Sequence, residues 1–229
     1  MAARIVLRYL QCQGRAEPLR LLLTDSGMPF KDERVQPEEC KLAETSKWGP
    51  FRSLPVLEWD SYLIAQTEAI ALYLATKLDY AGDGSAEQTA HSAALVSAAY
   101  QDLIQVAVKV LCTPVRGLER AFHEIAHVVA PRLQNLENYL GEKSFFIAGN
   151  KPCAGDFFVY VAVDMLMTIF GEEMFGSFPG LTAFHWRMEK RPSVKAYVDS
   201  GKRTKRLCCC RKEDEVVERV KGFRAHMRL

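Results

Sequence analysis

The stretch from Arg4 to Leu23 restricts the fold of this chain more than any other. It opens with a short apolar run, Ile5-Val6-Leu7, bounded by Arg4 and Arg8. A run of that length reads as a buried strand. A polar loop with one glycine follows, Gln11 to Gly14. Ala16, Leu19, Leu22 and Leu23 then recur at helical spacing, and Gly27 closes the pattern. Pro18 falls in the first turn, where a missing N–H costs little. Tyr9 therefore stands where a strand hands over to a helix, a position at which α/β folds present residues to ligands.

The rest of the chain divides in two. Phe30 to Val35 reads as a second strand and Pro37 to Ala43 as a short helix that Trp48-Gly49-Pro50 breaks. Leu54 to Trp59 and Tyr62 to Ala65 flank Asp60-Ser61 as a hairpin. Thr67 is placed as the cap of a helix carrying Ile70, Leu72, Tyr73, Leu74 and Leu78. The order strand, helix, strand, helix, two strands, helix is that of a thioredoxin-like half-domain, assigned to residues 1–79. Gly82, Asp83, Gly84 and Ser85 mark a linker. Beyond it only helical patterns appear: Ala90 to Leu111, Phe122 to Leu140 ending at Gly141, Asp156 to Phe170, Pro179 to Arg191, and Pro192 to Ser200. Phe145 to Gly149 reads as a buried loop. Asp156 to Phe170 is almost wholly apolar and is expected to form the core of an all-helical domain, residues 88–201. Residues 202–229 form a basic extension with an amphipathic helix.

Composition narrows the functional classes. Thirty Lys/Arg against 28 Asp/Glu leave a net charge of +2, which gives no reason to expect a nucleic-acid partner. The charge is uneven: residues 202–229 carry net +6 and the remainder net −4, so the tail reads as a separate electrostatic object. Met1 leads straight into strand-like sequence without an apolar leader, and no apolar run approaches the roughly 20 residues of a membrane span. Seven cysteines are an odd number, and the spacing of Cys12, Cys40, Cys112 and Cys153 suggests no framework. The expectation is reduced thiols in a cytoplasmic protein.

Four short motifs occur in a telling order. They are Tyr9 with Gly14-Arg15-Ala16-Glu17-Pro18, then Lys47 with Pro50-Phe51-Arg52-Ser53-Leu54-Pro55, then Gln66-Thr67, and finally Cys153-Ala154-Gly155-Asp156. Together they resemble the cytosolic glutathione transferases, tyrosine-type and sigma/pi-like, over about residues 3–200. The resemblance implies an α/β thioredoxin-like N-terminal domain followed by an all-α domain, the order read independently above. The departures are Leu10 for an aromatic residue, Gln13 for the first Arg, Ser53 for Gln, Cys153 for a Ser/Thr cap, and a displaced Trp48.

The resemblance also implies roles. Tyr9 would donate a hydrogen bond to the sulfur of glutathione, the co-substrate; the competing reading is a strand tyrosine packed in the core. Pro55 would be cis, since cis bonds are essentially confined to X–Pro. That would let the Leu54 backbone pair with the cysteinyl unit. Lys47 and Arg15 would meet the glycyl carboxylate, unless Lys47 is a solvated loop charge and Arg15 structural; the contact through Ser53 is in doubt. Gln66 and Thr67, at a helix N-terminus, suit the γ-glutamyl carboxylate or form an ordinary cap. Asp102 would reach the γ-glutamyl amine across a homodimer or remain a solvated helix residue. Cys12 lies one residue from where some classes place a catalytic Cys and is read as a loop cysteine. No metal is implied.

In the tail, Cys208-Cys209-Cys210 follow a basic run, and Val216, Val217, Val220, Phe223 and Met227 share one helical stripe. Acylated cysteines beside basic residues would bring a membrane surface into contact; a stripe packed on the helical domain would cover the electrophile pocket. The expected function is conjugation of glutathione to small hydrophobic electrophiles. Glutathione-dependent isomerisation or peroxide reduction is the alternative on the same site. A non-catalytic ligand-binding or crystallin-like protein is the third reading, one that has no need of Tyr9, Lys47, Gln66 and Thr67.

Overall fold

Strand β1 (Ile5–Leu10) is the axis of the first domain. In this computed structural model, which describes residues 3–36, 46–114, 117–147, 149–210 and 213–224, Ile5, Leu7 and Tyr9 face the main core. Arg8 lies on the other face, buried but ion-paired to Glu58 at 2.7 Å and Glu33 at 3.3 Å. The alternation is the period of two that a pleated strand imposes. β2 (Lys31–Val35) runs parallel to β1 on one side. β3 (Val56–Trp59) runs antiparallel on the other and continues through a hairpin into β4 (Tyr62–Ala65). The sheet order is β2-β1-β3-β4.

Helix α1 (Glu17–Asp25) buries Leu19, Leu22 and Leu23 as its spacing predicts, with Pro18 in the first turn. The expected helix over Pro37 to Ala43, with Cys40, lies outside the described residues. Helix α2 (Thr67–Lys77) corrects the capping assignment: Gln66 occupies the N-cap, and Thr67 is the first helical residue, 4% exposed. A cap must take non-helical φ/ψ, and here the break falls at Gln66, with φ 77°.

The second domain is helical. Ser85 caps α3 (Ala86–Ala99) by accepting the Gln88 N–H at 3.2 Å. A π turn (Tyr100–Ile104) joins α3 to α4 (Gln105–Leu111). Contrary to the sequence expectation, the joined run Ala86–Leu111 is long and apolar enough to cross a membrane by composition; half of its apolar window is buried within the protein. Then come α5 (Leu118–Leu140), α6 (Ala154–Phe170), α7 (Pro179–Glu189), α8 (Pro192–Asp199) and α9 (Glu213–Arg224).

Helix α6 is the predicted core, with nearly every residue buried. A Cβ at Gly155 would lie 2.4 Å from that of Leu95, so glycine is what lets α6 and α3 approach. Asp156 accepts the Cys153 N–H at 2.8 Å and the Phe146 N–H at 3.0 Å, tying the helix start to the buried Phe145–Ile147 loop.

The domains are joined by a polar knot at the end of α1. The buried Asp25 carboxylate takes both nitrogens of an Arg191 fork, at 3.0 and 2.7 Å, and the Tyr80 hydroxyl at 2.9 Å; Ser193 also donates to it.

The tail departs from expectation in two respects. Cys112 and Cys210 form a disulfide, where reduced thiols were expected: tertiary folding brings together residues 98 apart in sequence. Arg203 ties the tail, read as a separate electrostatic object, to carboxylates of both domains. Its guanidinium is buried between the domains, bonded to Glu17 at 3.0 Å and Asp164 at 2.6 Å. Val216 and Val220 are buried as the stripe predicts, and α9 packs on α4, α5 and α6. The Phe223 side chain and Met227 lie outside the described residues.

Asp25→Ala leaves four donors facing an empty site. The expected loss is about 3–5 kcal/mol of unfolding free energy, the scale of breaking a buried ion pair, measured by urea denaturation. A loss below about 1 kcal/mol would show that the knot does not hold the domains.

Candidate active site at the end of the sheet

Strand register assembles the site. Arg8 pairs with Val56, and Val56 with Ala65, so these three form one row across β1, β3 and β4. One step further along lie Tyr9, Pro55 and Gln66. Three residues predicted from separate motifs thus fall side by side at one edge of the sheet.

Tyr9 is 6% exposed and its oxygen accepts the Arg15 N–H at 3.1 Å. That bond uses a lone pair, so the phenol proton remains for another partner. Burial pushes the Tyr9 hydroxyl above its ordinary range, the neighbouring Cys12 and Cys209 add to this, and the Arg15 backbone bond opposes it. At neutral pH the group is therefore a protonated donor. Gly14, with φ 46°, packs flat on the ring; a Cβ there would sit 2.6 Å from the Tyr9 oxygen. Glycine at this place in the motif is a steric requirement of the tyrosine.

The Leu54–Pro55 peptide is cis, as the resemblance implied. Ser53 and Leu54 are half-buried beside it. Gln66 is exposed with positive φ, an uncommon conformation for a residue with a side chain and one that clusters at ligand sites. Thr67 opens α2, whose first N–H groups point toward the same edge. Lys47 is exposed and folds over the Trp48 ring, 4.8 Å from its centroid. Trp48 is buried, and its indole N–H has no partner among the described residues.

Asp102 stands apart. It lies in the π turn, half-exposed, 3.5 Å from Arg132, in a cleft of about 440 Å³ lined also by His91, Ala98 and Tyr139. None of the other predicted site residues lines that cleft. Cys12 is turned into the core, 1% exposed, in keeping with its reading as a loop cysteine.

Sequence reasoning missed the groups beneath the Tyr9 loop. Arg20, wholly buried, donates to the Cys12 carbonyl at 2.8 Å, to Glu17 at 3.2 Å and to Asp32 at 3.0 Å. Glu17 in turn receives Arg203. Two charges at i and i+3 on an otherwise apolar helical face were the available signal. Gln13 bonds the tail through the Thr204 carbonyl at 2.9 Å and accepts from Arg203 at 3.3 Å. An Arg at position 13 would set a second guanidinium against Arg203.

Comparison with known proteins agrees with this geometry. Residues 5–76 match the family model for the glutathione S-transferase N-terminal domain, and residues 117–201 match that for its C-terminal domain. The hematopoietic prostaglandin D synthase of Gallus gallus is 30% identical over 203 residues, covering 86% of this chain and 96% of that protein. A glutathione S-transferase of Dirofilaria immitis is 28% identical, covering 83% and 90%. Among solved structures, a sigma class enzyme of Fasciola hepatica superposes with TM-score 0.78 at 25% identity, covering 91% and 100%. On sequence, sheet-edge geometry and fold, the chain belongs to the cytosolic glutathione S-transferase family.

Proposed function

We propose that this glutathione transferase binds glutathione across the Tyr9–Pro55–Gln66 row and adds its thiolate to small hydrophobic electrophiles. The observation that carries the reading is the buried Tyr9 hydroxyl, whose oxygen accepts the Arg15 N–H and so leaves its own proton to donate. A free thiol with a pKa of about 8.5 is only slightly ionised at neutral pH. A hydrogen bond from Tyr9 favours the thiolate, the nucleophilic form, and lowers the thiol pKa.

The other contacts match the chemistry of the tripeptide. Leu54 offers backbone groups to the cysteinyl unit. Gln66, Thr67 and the α2 N-terminus suit the γ-glutamyl carboxylate. Lys47, Arg15 and the unpartnered Trp48 indole suit the glycyl carboxylate, with Ser53 beside them. Glutathione needs no metal for this step. The γ-glutamyl amine lacks a carboxylate within the first-domain row, and Asp102 from a second copy supplies it in a homodimer built on the α3–α5 cleft. The site works in the cytoplasm, where glutathione is abundant. Isomerisation on the same thiolate is the second reading, favoured by the relatives named hematopoietic prostaglandin D synthase. Product analysis separates the two, since only conjugation consumes glutathione.

Tyr9→Phe tests the main role. Turnover is expected to fall roughly 10- to 1000-fold with glutathione affinity kept. Without the donor the bound thiol pKa rises toward about 8.5, so the deficit is larger near pH about 6.5 than near pH about 9. An unchanged rate at saturating glutathione would remove Tyr9 from the chemistry. Cys12→Ser should leave the rate intact.

Asp102→Ala should weaken glutathione binding by about 1–3 kcal/mol, the scale of a charge-assisted hydrogen bond. Mixed with Tyr9→Phe subunits, it should regain activity, because each heterodimer holds one site with both lesions and one with neither. No recovery in demonstrated heterodimers would refute a shared site.

A further inference from the structure

The C-terminal segment carries sulfur chemistry that the transferase reaction does not use. The sulfurs of Cys112, Cys208 and Cys210 all lie within 4.8 Å of one another. Two of them form the Cys112–Cys210 disulfide, and the third, the buried Cys208, accepts the Cys210 N–H at 3.3 Å. Cys112 is exposed at the end of α4.

This cluster sits where the tail is fastened to the active-site loop. The Gln13 N–H donates to the Arg206 carbonyl and the Gly14 N–H to the Leu207 carbonyl, both at 2.8 Å. Gly14 in turn is packed on the Tyr9 ring. After the cluster the chain enters α9, which buries Val216 and Val220 on the helical domain. The disulfide thus fastens the segment between the Tyr9-loop clamp and α9 covalently to the end of α4.

We propose that Cys112, Cys208 and Cys210 form a thiol–disulfide exchange site through which glutathione fastens and releases the C-terminal segment. Glutathione thiolate attacks the exposed Cys112 sulfur; the Cys112–Cys210 bond breaks, and Cys210 leaves as a thiolate that takes up the thiol proton. The product is a mixed disulfide of Cys112 with glutathione. A second glutathione releases Cys112 as a thiol with formation of glutathione disulfide, so two electrons pass from two glutathiones to the protein disulfide. In the reverse sense Cys210 or Cys208 expels glutathione from Cys112, restoring Cys112–Cys210 or forming Cys112–Cys208. Disulfides in thiol-rich compartments are characteristically transient, catalytic or redox-sensing, and exchange rates rise with access to the attacked sulfur. The exposed Cys112 meets the condition of access, and Cys208 sets a third sulfur beside the bond; the thiol-rich compartment is that of the proposed function.

The inference shares only its thiol with the transferase reading. Calorimetric binding of glutathione tests that reading separately and leaves the exchange result untouched.

The test equilibrates the full chain in glutathione buffers from fully oxidised to fully reduced, blocks thiols with N-ethylmaleimide and maps the cysteines by mass spectrometry. The expected result is a Cys112–Cys210 bond in oxidising buffer, three alkylated thiols in reducing buffer, and a glutathione adduct on Cys112 between them. Cys208→Ser should increase that adduct, having one fewer thiol to expel it. Reduction should speed tryptic cleavage within residues 202–224 by about tenfold, as expected when a segment opens locally. Cys112→Ser should show the fast cleavage in every buffer, and reduced wild-type protein gives the same reading should that variant fail to fold. A bond absent in oxidising buffer, a bond that dithiothreitol opens and glutathione does not, or opening without faster cleavage would each overturn the proposal.

Discussion

The buried ion cluster under the Tyr9 loop is the interaction on which the rest depends. Arg20 and Glu17 are wholly enclosed, and a buried charge is tolerated only when paired and hydrogen-bonded. Arg20 meets this condition by binding Glu17, Asp32 and the Cys12 carbonyl. Arg203, from the C-terminal segment, then closes the cluster by joining Glu17 to Asp164 of the second domain. Burial alone would raise the Asp164 carboxyl pKa, but His185 and Arg203 outweigh it and hold the group below its usual range. Its contribution to stability is therefore complete above the ordinary carboxylate pKa and lost as pH falls through the lowered one. The cluster serves less as net stabilisation than as a set of fixed directions. It sets the path of Gln11–Gly14, and that path places the Arg15 N–H on the Tyr9 oxygen.

From that loop the candidate site is built by strand geometry. Antiparallel register carries Tyr9 to Pro55 and Pro55 to Gln66, so one row at the sheet edge holds a hydroxyl, a cis-proline turn and a helix start. Gly14 and Gln66 bear the conformational cost, one through close approach to a ring and the other through positive φ. The matches to the family's two domain models are consistent with a scaffold that delivers this row.

The match to the family's C-terminal domain model ends at residue 201, and the segment beyond it folds back onto both domains. Arg203 enters the buried cluster, the 206–207 carbonyls clamp the loop, and the disulfide anchors the start of the α9 segment to the end of α4. Gln13 links the two regions: it stands where the motif has Arg, and it contacts Thr204 and Arg203. A change in the active-site loop is thereby matched to a segment 191 residues away.

Local patterns were legible wherever one element decides the outcome. The apolar spacing of α1, the alternation of β1, the hairpin turn and the apolar α6 each need only neighbouring residues, and Tyr9, Pro55, Gln66 and Thr67 could be picked out by motif. Chemistry that depends on distant partners was not legible. The motif reads Thr67 as a cap because cap preference does not say at which residue the backbone leaves helical φ/ψ. Composition reads residues 202–229 as a separate electrostatic object because it cannot show that Glu17 and Asp164 await Arg203. Spacing in sequence reads the cysteines as reduced because it does not bring Cys112 to Cys210. By itself the sequence determined the elements, their order and the residue types at the sheet edge, since these rest on local periodicity and steric limits. Only the tertiary structure decided which charges are buried together, which sulfurs meet and how the tail closes on the Tyr9 loop, since those are long-range contacts whose energies exist only once the chain has folded.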